Sequence, residues 1–329
     1  MRQKSKLPPL FRRKLRKRFV LGALTATMGL AGLAHAADDS SVHKIGITVG
    51  SMGNPFFLAT IRGITQQASS QAPNASVQSV SADYDIGKQA SQVDSFIAAG
   101  VDLVMFNAVD HAAAGPLVKR MHDNRMTVIA FDVGAPGADG TVTTNNVKAG
   151  ELSCQYIVDR LKGKGDVVIV NGPPVTALID RVTGCMGVFA KAPGIHVLSS
   201  NQDGHGSREG GLAVAQSTFV RFPKIDAIFA VNDPTAVGVE LAARQAGRKD
   251  FFITAVDGSP EVEQSLRQGG GLIAATASQD PFRIATTATQ LGIDIRAGRA
   301  KTGTVQLLDP HLITADNIAS YRGWNASRS

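Results

Sequence analysis

Four short apolar segments of this chain are each followed by a side-chain amide or a carboxylate. The segments are 103–106, 128–131, 228–231 and 253–256. The residues that follow them are Asn107, Asp132, Asn232 and Asp257. Continuous apolar segments rich in β-branched residues are typical of strands in a buried parallel sheet. In an open α/β sheet the ligand binds beyond the carboxyl ends of the strands, and amides and carboxylates there suit a ligand with many hydroxyl groups.

The same four residues have a second interpretation, because Asn and Asp often cap the helix that follows a strand. One such residue would say nothing about function. Four of them, spread over about 150 residues, favour a shared site over four independent caps.

Two aromatic residues and one arginine could serve the same ligand. Phe56 and Phe57 begin a predicted helix; at least one is expected in the core, whereas an aromatic face could pack on the C–H face of a sugar ring. Arg181 begins an otherwise apolar helix and could be a solvated surface charge. It could instead offer its planar fork to ligand hydroxyls while balancing Asp132 or Asp257.

Sequence motifs for a cofactor, a metal ion or a catalytic nucleophile are missing. The first strand-to-helix turn, 50–54, lacks the Gly-x-Gly-x-x-Gly pattern, and the glycine clusters at 163–165 and 269–271 precede strands. The seven histidines show no paired metal-ligand spacing, and no Gly-x-Ser-x-Gly turn is present. The sequence therefore predicts that the protein is not an enzyme and holds no cofactor or metal.

The N-terminal segment has the features of a secretory signal peptide, predicted over residues 1–36. Positions 2–18 carry nine basic residues and no acidic one, an apolar stretch follows at 19–33, and Ala34-His35-Ala36 fits a cleavage site. Without those nine residues, the 34 basic residues fall to 25 against 27 acidic ones. The high isoelectric point therefore belongs to the signal, and nucleic-acid binding is not predicted.

Cys154 and Cys185 are the two cysteines of the chain. In the oxidising compartment that a secretory signal indicates, they could form a disulfide. Both lie in predicted helices, 149–161 and 179–191, and a bridge requires their Cα atoms to come within about 7 Å. The sequence leaves this pairing open.

From Lys44 onward, predicted strands alternate with predicted helices in two similar sets. The first set of strands comprises 45–49, 77–81, 103–106, 128–131 and 142–144. The second comprises 167–170, 196–199, 227–231, 251–256 and 272–277. Right-handed crossovers between these strands predict an α/β protein with two doubly wound parallel-sheet lobes. The pattern does not assign the last helix, 281–296, to either lobe.

The order and spacing of these residues resemble the ribose-binding type of periplasmic sugar-binding proteins, the solute-binding components of ABC importers. The resemblance covers about Lys44 to Leu308. It rests on the Asn-Pro-Phe-Phe element at 54–57, the strand ends, the Arg of Ile-Asp-Arg-Val-Thr-Gly and the Gln of Ala-Ser-Gln-Asp-Pro. The ligand-binding residues that it implies are Asn54, Phe56, Phe57, Asn107, Asp132, Arg181, Asn232, Asp257 and Gln279.

The resemblance also implies a domain organisation and a partner. Two lobes would be joined by a three-segment hinge, with crossings near Thr144, Ala277 and Leu307. The lobes would comprise 42–144 plus 278–306, and 145–277 plus 307–325. They would close around the ligand in the periplasm and present a joint surface to a membrane permease, and such closure favours a monomer.

Two departures from the family pattern bear on the ligand. Ribose and galactose-type binders often have an arginine directly after the strand-end aspartate, where this chain has Val133. The segment that usually supplies another aromatic, 203–206, has none. A pentose other than ribose, a furanose or a linear polyol is therefore expected.

Three other classes of function compete with solute delivery. A sugar-sensing protein that presents its ligand to a chemoreceptor or sensor kinase would use the same closed surface, so the sequence does not separate it. The effector domain of a LacI-type repressor is disfavoured by the secretory signal and by the lack of a basic helix-turn-helix. A sugar-converting enzyme would need a catalytic group that the sequence does not offer.

Overall fold

The computed structural model describes residues 41–324. The predicted signal peptide, 1–36, lies outside the described residues. Within the described range the chain forms two six-stranded sheets. No helix in this range combines the length and the apolar character needed to span a membrane.

Strands and helices alternate along most of the described residues, except that β5 follows β4 and β12 follows β11 without a helix between them. The first part contains β1 Lys44–Val49, α1 Pro55–Gln71, β2 Ser76–Ser81, α2 Ile86–Ala99, β3 Leu103–Phe106, α3 His111–Asp123, β4 Thr127–Phe131 and β5 Gly140–Thr144. The second contains α4 Asn146–Arg160, β6 Lys164–Asn171, α5 Thr176–Phe189, β7 Gly194–Asp203, α6 Arg208–Arg221, β8 Ala227–Ala230, α7 Asp233–Gln245, β9 Phe252–Asp257, α8 Pro260–Gln268 and β10 Ile273–Ser278. The chain ends with α9 Pro281–Arg296, β11 Thr304–Leu308, β12 Leu312–Thr314 and a 3-10 turn at Ile318–Ser320.

Both sheets have the same strand order. The first is β11-β5-β4-β3-β1-β2 and the second is β12-β10-β9-β8-β6-β7. All pairs in the first sheet are parallel, and in the second only the edge strand β12 runs antiparallel. The predicted fold class, two similar doubly wound α/β lobes, is confirmed.

The central strands are buried on both faces, which explains their continuous apolar sequences. In β3, Leu103 and Met105 pack on the side of α1 and α9, whereas Val104 and Phe106 pack on the side of α2 and α3. Successive side chains of a strand point to opposite faces, so a strand covered on both sides needs an apolar residue at every position.

Helix α9, which the sequence pattern left unassigned, packs against α1 and over β4 and β5 of the first sheet. Its Ile284, Ala288 and Leu291 are buried in the core of the first lobe. The chain therefore returns from the second sheet to the first after β10.

The strand pairings refine the expected lobe boundaries. Ser278 pairs with Asp257 in the second sheet. Leu308, at the end of β11, pairs with Thr144 in the first sheet. Because hydrogen-bonded pairing continues through these residues, we propose that the second crossing follows Ser278 and the third follows Leu308, each slightly later than residues 277 and 307.

Two glycines, Gly150 of α4 and Gly184 of α5, allow these two helices to lie close together. A Cβ atom on Gly150 would lie 1.9 Å from the carbonyl oxygen of Arg181. Nearby, Cys154 and Cys185 are bonded across the two helices, with their Cα atoms 5.1 Å apart. The close approach brings the two cysteines within reach, and it also fixes the helix that carries Arg181.

Reducing this disulfide should lower the free energy of unfolding by about 3–4 kcal/mol, because the bond closes a loop of 31 residues in the unfolded chain. Urea unfolding with and without dithiothreitol measures the difference. The control is the Cys154→Ala/Cys185→Ala variant, whose midpoint should not respond to the reductant. Equal midpoints for the oxidised and reduced natural protein would contradict the expectation.

Candidate ligand-binding site between the lobes

The carboxyl ends of the two sheets enclose a cavity of about 430 Å³, including its part open to solvent. The cavity wall includes all nine predicted residues, which are Asn54, Phe56, Phe57, Asn107, Asp132, Arg181, Asn232, Asp257 and Gln279. The structure therefore brings together side chains that are up to 225 positions apart in the sequence.

Asn107 and Asp132 form the polar pair of the first lobe. The Asn107 amide nitrogen donates to Asp132 Oδ2 at 2.9 Å, and its Oδ1 accepts from the Gly50 backbone at 3.0 Å. Asp132 follows β4 with a left-handed backbone, φ 63°. The Asn107 side chain thus holds the Asp132 carboxylate in one orientation at the edge of the sheet.

Arg181 is buried, with 2% of its surface exposed, so its interpretation as a solvated charge is wrong. Its Nε donates to Asn146 Oδ1 at 2.9 Å and its Nη1 donates to the Val231 carbonyl at 2.8 Å. The same Nη1 lies 3.5 Å from Asp257 Oδ1. Planar guanidinium geometry lets one side chain reach these partners together.

Gln279 links Asp257 to the first lobe. Its Nε2 donates to Asp257 Oδ1 at 2.7 Å, and its Oε1 accepts from the Thr144 hydroxyl at 2.7 Å. Thr144 ends β5 and Gln279 follows β10, so both lie where the chain passes between the sheets. Through these two hydrogen bonds, the Asp257 carboxylate is connected to two segments that pass between the lobes, at Thr144 and at Gln279.

Capping explains some of the polar side chains but not most of the strand ends. Asn232 caps α7 by accepting from the Thr235 backbone at 3.0 Å, and Asn54 caps α1 by accepting from Phe56 at 2.9 Å. Helices α3 and α8 are capped instead by Asp110 and Ser259. Asn107, Asp132 and Asp257 are therefore not N-cap residues, although Asp257 Oδ2 accepts from the backbone of Asp233, the first residue of α7, at 3.3 Å.

Phe56 and Phe57 contribute to the first-lobe core and to the cavity wall at once. Both are buried, and their rings meet edge to face with centroids 5.5 Å apart. The expectation that at least one of them enters the core is met, whereas packing of an aromatic face on a sugar ring stays a prediction.

Tyr84 is a cavity residue that the sequence interpretation missed. It follows β2, and both Asp83 and Tyr84 have left-handed backbones, φ 52° and 56°. Its ring lies over Gly50, where a Cβ atom would be 2.7 Å from Tyr84 Cε1. The signal available was its position just after a predicted strand, 77–81. Tyr84 thus brings an aromatic side chain to the cavity from the first lobe. Segment 203–206, which has no aromatic residue, belongs to the second lobe.

The remaining cavity wall is apolar. It consists of Val133, Val175, Ala177 and Leu178. Three of these come from the start of α5 and the residue before it, which also places Arg181 one turn further along. The cavity thus combines hydrogen-bonding groups with a surface for the C–H groups of a ligand.

Burial raises the pKa of Asp132 to about 7 and that of Asp257 to about 6, while the Arg181 guanidinium opposes both changes. The two carboxylates also repel each other across the cavity. Hydrogen bonds from Asn107 and Gln279 favour the ionised forms. Additional donors from a ligand would stabilise both carboxylates further.

Nothing among residues 41–324 resembles a metal centre, since no three His, Cys, Asp or Glu side chains there are grouped to hold an ion. The arrangement of the cavity suits hydrogen bonding to a neutral ligand. Carboxylates accept from hydroxyl groups, and the guanidinium and amide groups donate to hydroxyl oxygens.

Two parallel-sheet lobes with a polar cavity at their facing carboxyl ends define the class of two-lobe α/β solute-binding proteins. Residues 45–300 match the family model described as periplasmic binding protein domain, and the chain belongs to this family. The resemblance to the ribose-binding type is confirmed by relatives of that kind.

Two curated relatives span most of the chain. The ribose import binding protein of Bacillus subtilis is 29% identical over 270 residues, which are 79% of this chain and 84% of the relative. A xylitol-binding protein of Mycolicibacterium smegmatis is 29% identical over 303 residues, 90% of this chain and 84% of the relative. Both are binding proteins, so membership of a family of non-enzymatic sugar and polyol binders is supported.

A solved structure supports the fold. The ABC transporter solute-binding protein from Mycobacterium smegmatis with bound glycerol has a TM-score of 0.79 at 23% identity. The match covers 88% of this chain and 100% of that one.

Replacing Asp132 with Asn should stabilise the ligand-free protein relative to the natural chain, increasingly as the pH rises from about 4 to 7. A folded-state pKa raised from 3.8 to about 7 means that stability from the protonated carboxyl is present at low pH and lost as the pH rises. The free energy of unfolding of Asp132→Asn minus that of the natural protein should rise by on the order of 2 kcal/mol between pH 4 and pH 7. Urea unfolding at several pH values measures it. A difference independent of pH would contradict this assignment.

Proposed function

We propose that the protein captures one monosaccharide or linear polyol between its lobes in the periplasm and delivers it to the permease of an ABC importer. The observation that carries the proposal is the buried Arg181 guanidinium beside Asp257, in a cavity between the lobes that Asp132 also lines. We propose no chemical turnover, in keeping with relatives that are binding proteins.

Ligand hydroxyls would donate to Asp132 and Asp257 and accept from Arg181. Each hydrogen bond to a buried charged group contributes about 1.5–3 kcal/mol. A few such bonds, with apolar contacts to Phe56 and Phe57, are enough for a micromolar dissociation constant, about −8 kcal/mol, after ordering costs.

The position after Asp132 favours a ligand other than ribose. Val133 is buried, lines the cavity and has no side-chain hydrogen-bond donor, at the position where the resemblance to the ribose-binding type leads us to expect an arginine. Tyr84 adds an aromatic ring with a hydroxyl group from the first lobe. We therefore propose a pentose other than ribose, a furanose or a linear polyol as the ligand.

Entry of the ligand requires the lobes to open. Asp132 is 8% exposed and Asp257 3%, so the closed arrangement leaves no wide path for a sugar. We propose that a monomer opens and closes about the crossings after Thr144, Ser278 and Leu308, and that the closed form presents surfaces of both lobes to the permease.

A panel of sugars and polyols at millimolar concentration should identify the ligand class through the Tm of the protein. A ligand at about 1,000 times its Kd adds about 4 kcal/mol of stability, which raises Tm by several degrees. We expect a rise with one stereochemical group among pentoses, furanose-forming sugars and linear polyols. No rise with any panel member would reject the sugar and polyol proposal.

Arg181→Ala and Asp257→Ala should each weaken binding of the panel member with the largest Tm rise by at least about 100-fold, because each leaves a buried partner unpaired. Isothermal titration calorimetry measures the loss, and circular dichroism checks the fold. The controls are Arg221→Ala and Asp123→Ala, which remove the same charges from exposed positions. A change of less than twofold at Arg181 or Asp257 would reject the assigned site.

A further inference from the structure

Residues 321–324, which follow the 3-10 turn, lie over the backbone next to the cavity. The Tyr321 hydroxyl donates to the Gly258 carbonyl at 2.7 Å. Trp324 Nε1 lies 3.2 Å from the Asp257 carbonyl and 3.1 Å from the Gln279 carbonyl. Tyr321 and Trp324 thus supply donors to the backbone carbonyls of Gly258 and of two proposed ligand-binding residues, Asp257 and Gln279.

This backbone has a conformation that needs external support. Asp257 has φ 145° and Gly258 has φ 69°, both positive. A positive φ is strained for a residue with a side chain and persists only where the surroundings fix it. A Cβ atom on Gly258 would lie 2.4 Å from the Tyr321 hydroxyl oxygen, so the C-terminal segment occupies the space left by the missing side chain.

The same segment is anchored on the second lobe and contacts the first. Arg267 of α8 donates to the Tyr321 carbonyl at 3.1 Å. The Trp324 ring meets the Phe56 ring edge to face, with centroids 5.8 Å apart. Phe56 lines the cavity from the first lobe, so Trp324 joins cavity-forming elements of both lobes without being one of the residues in the cavity wall.

We propose that residues 321–324 form a C-terminal clasp, in which Trp324 and Tyr321 are positioning residues for Asp257 and Gln279. The clasp holds the strained turn in the orientation that directs the Asp257 carboxylate into the cavity. Its contact with Phe56 forms when the lobes close, so the clasp couples lobe closure to the geometry of the site. This inference rests on the proposed function.

The first test replaces Trp324 with Phe, which keeps an aromatic ring and removes the N–H donor, and Tyr321 with Phe. Each variant should weaken binding of the panel member with the largest Tm rise by about tenfold, because the Gln279 carbonyl or the Gly258 carbonyl loses its side-chain donor, whereas the Asp257 carbonyl keeps the Gln279 backbone donor at 2.8 Å. The control is Ile225→Val in the core of the second lobe, which lowers Tm by a few degrees but should leave Kd within twofold. A Kd within twofold of the natural protein for Trp324→Phe would overturn the clasp.

The second test uses the fluorescence of Trp324, the sole tryptophan of the sequence. The ring is 6% exposed in the closed arrangement. Ligand addition should shift its emission to shorter wavelength and reduce quenching by acrylamide, because the contact with Phe56 is completed. Binding seen by calorimetry with no change in emission or quenching would overturn the coupling to closure.

A third measurement needs no ligand and separates failure of the clasp from failure of the proposed function. Hydrogen–deuterium exchange of peptides covering 253–262 should be faster in Trp324→Phe than in Ile225→Val. Equal exchange would overturn the clasp even if sugar binding is found. Faster exchange in a protein that binds no sugar or polyol would support the clasp and reject the proposed function.

Discussion

The buried guanidinium of Arg181 is the interaction on which the rest of the site depends. A charge removed from water is tolerated only where opposite charges and hydrogen-bond acceptors surround it. Here the acceptors come from the start of α4, the end of β8 and the end of β9, so these three elements must all be in place before the charge is satisfied. The glycine contact and the disulfide between α4 and α5 hold the arginine at the meeting point of these elements.

The balance of charge in the cavity explains why a neutral polyhydroxylated ligand fits the proposed function better than an anion. Two carboxylates and one guanidinium line the wall, so the cavity has an excess of strong acceptors. Hydroxyl groups satisfy those acceptors without bringing further negative charge into a region of low dielectric constant. The apolar start of α5 and the paired phenylalanines complete the match, because a sugar or polyol carries C–H surfaces between its hydroxyl groups.

Much of this arrangement follows from local sequence patterns. A strand buried on both faces is a continuous apolar segment, so 103–106 marks both a strand and the polar residue that follows it. Tyr84 was missed because β2 is only partly buried and two left-handed residues at its end leave no periodic pattern. The side on which α9 packs, the pairing of β11 through Leu308 and the contacts of Trp324 join residues far apart in the chain. Local periodicity carries no information about such contacts, and the resemblance to a family helps only where the family shares them.

The position of α9 and β11 has a consequence for how the chain acquires its structure during synthesis. Helix α9 supplies core residues of the first lobe and β11 supplies its edge strand, yet both follow the whole set of strands β6 to β10. A polypeptide that has been synthesised to residue 278 therefore contains nearly all strands of the second sheet, whereas one face of the first sheet is covered by α1 but still lacks α9. The first lobe therefore cannot be completed before residue 308 has been synthesised, although its first strand begins at residue 44.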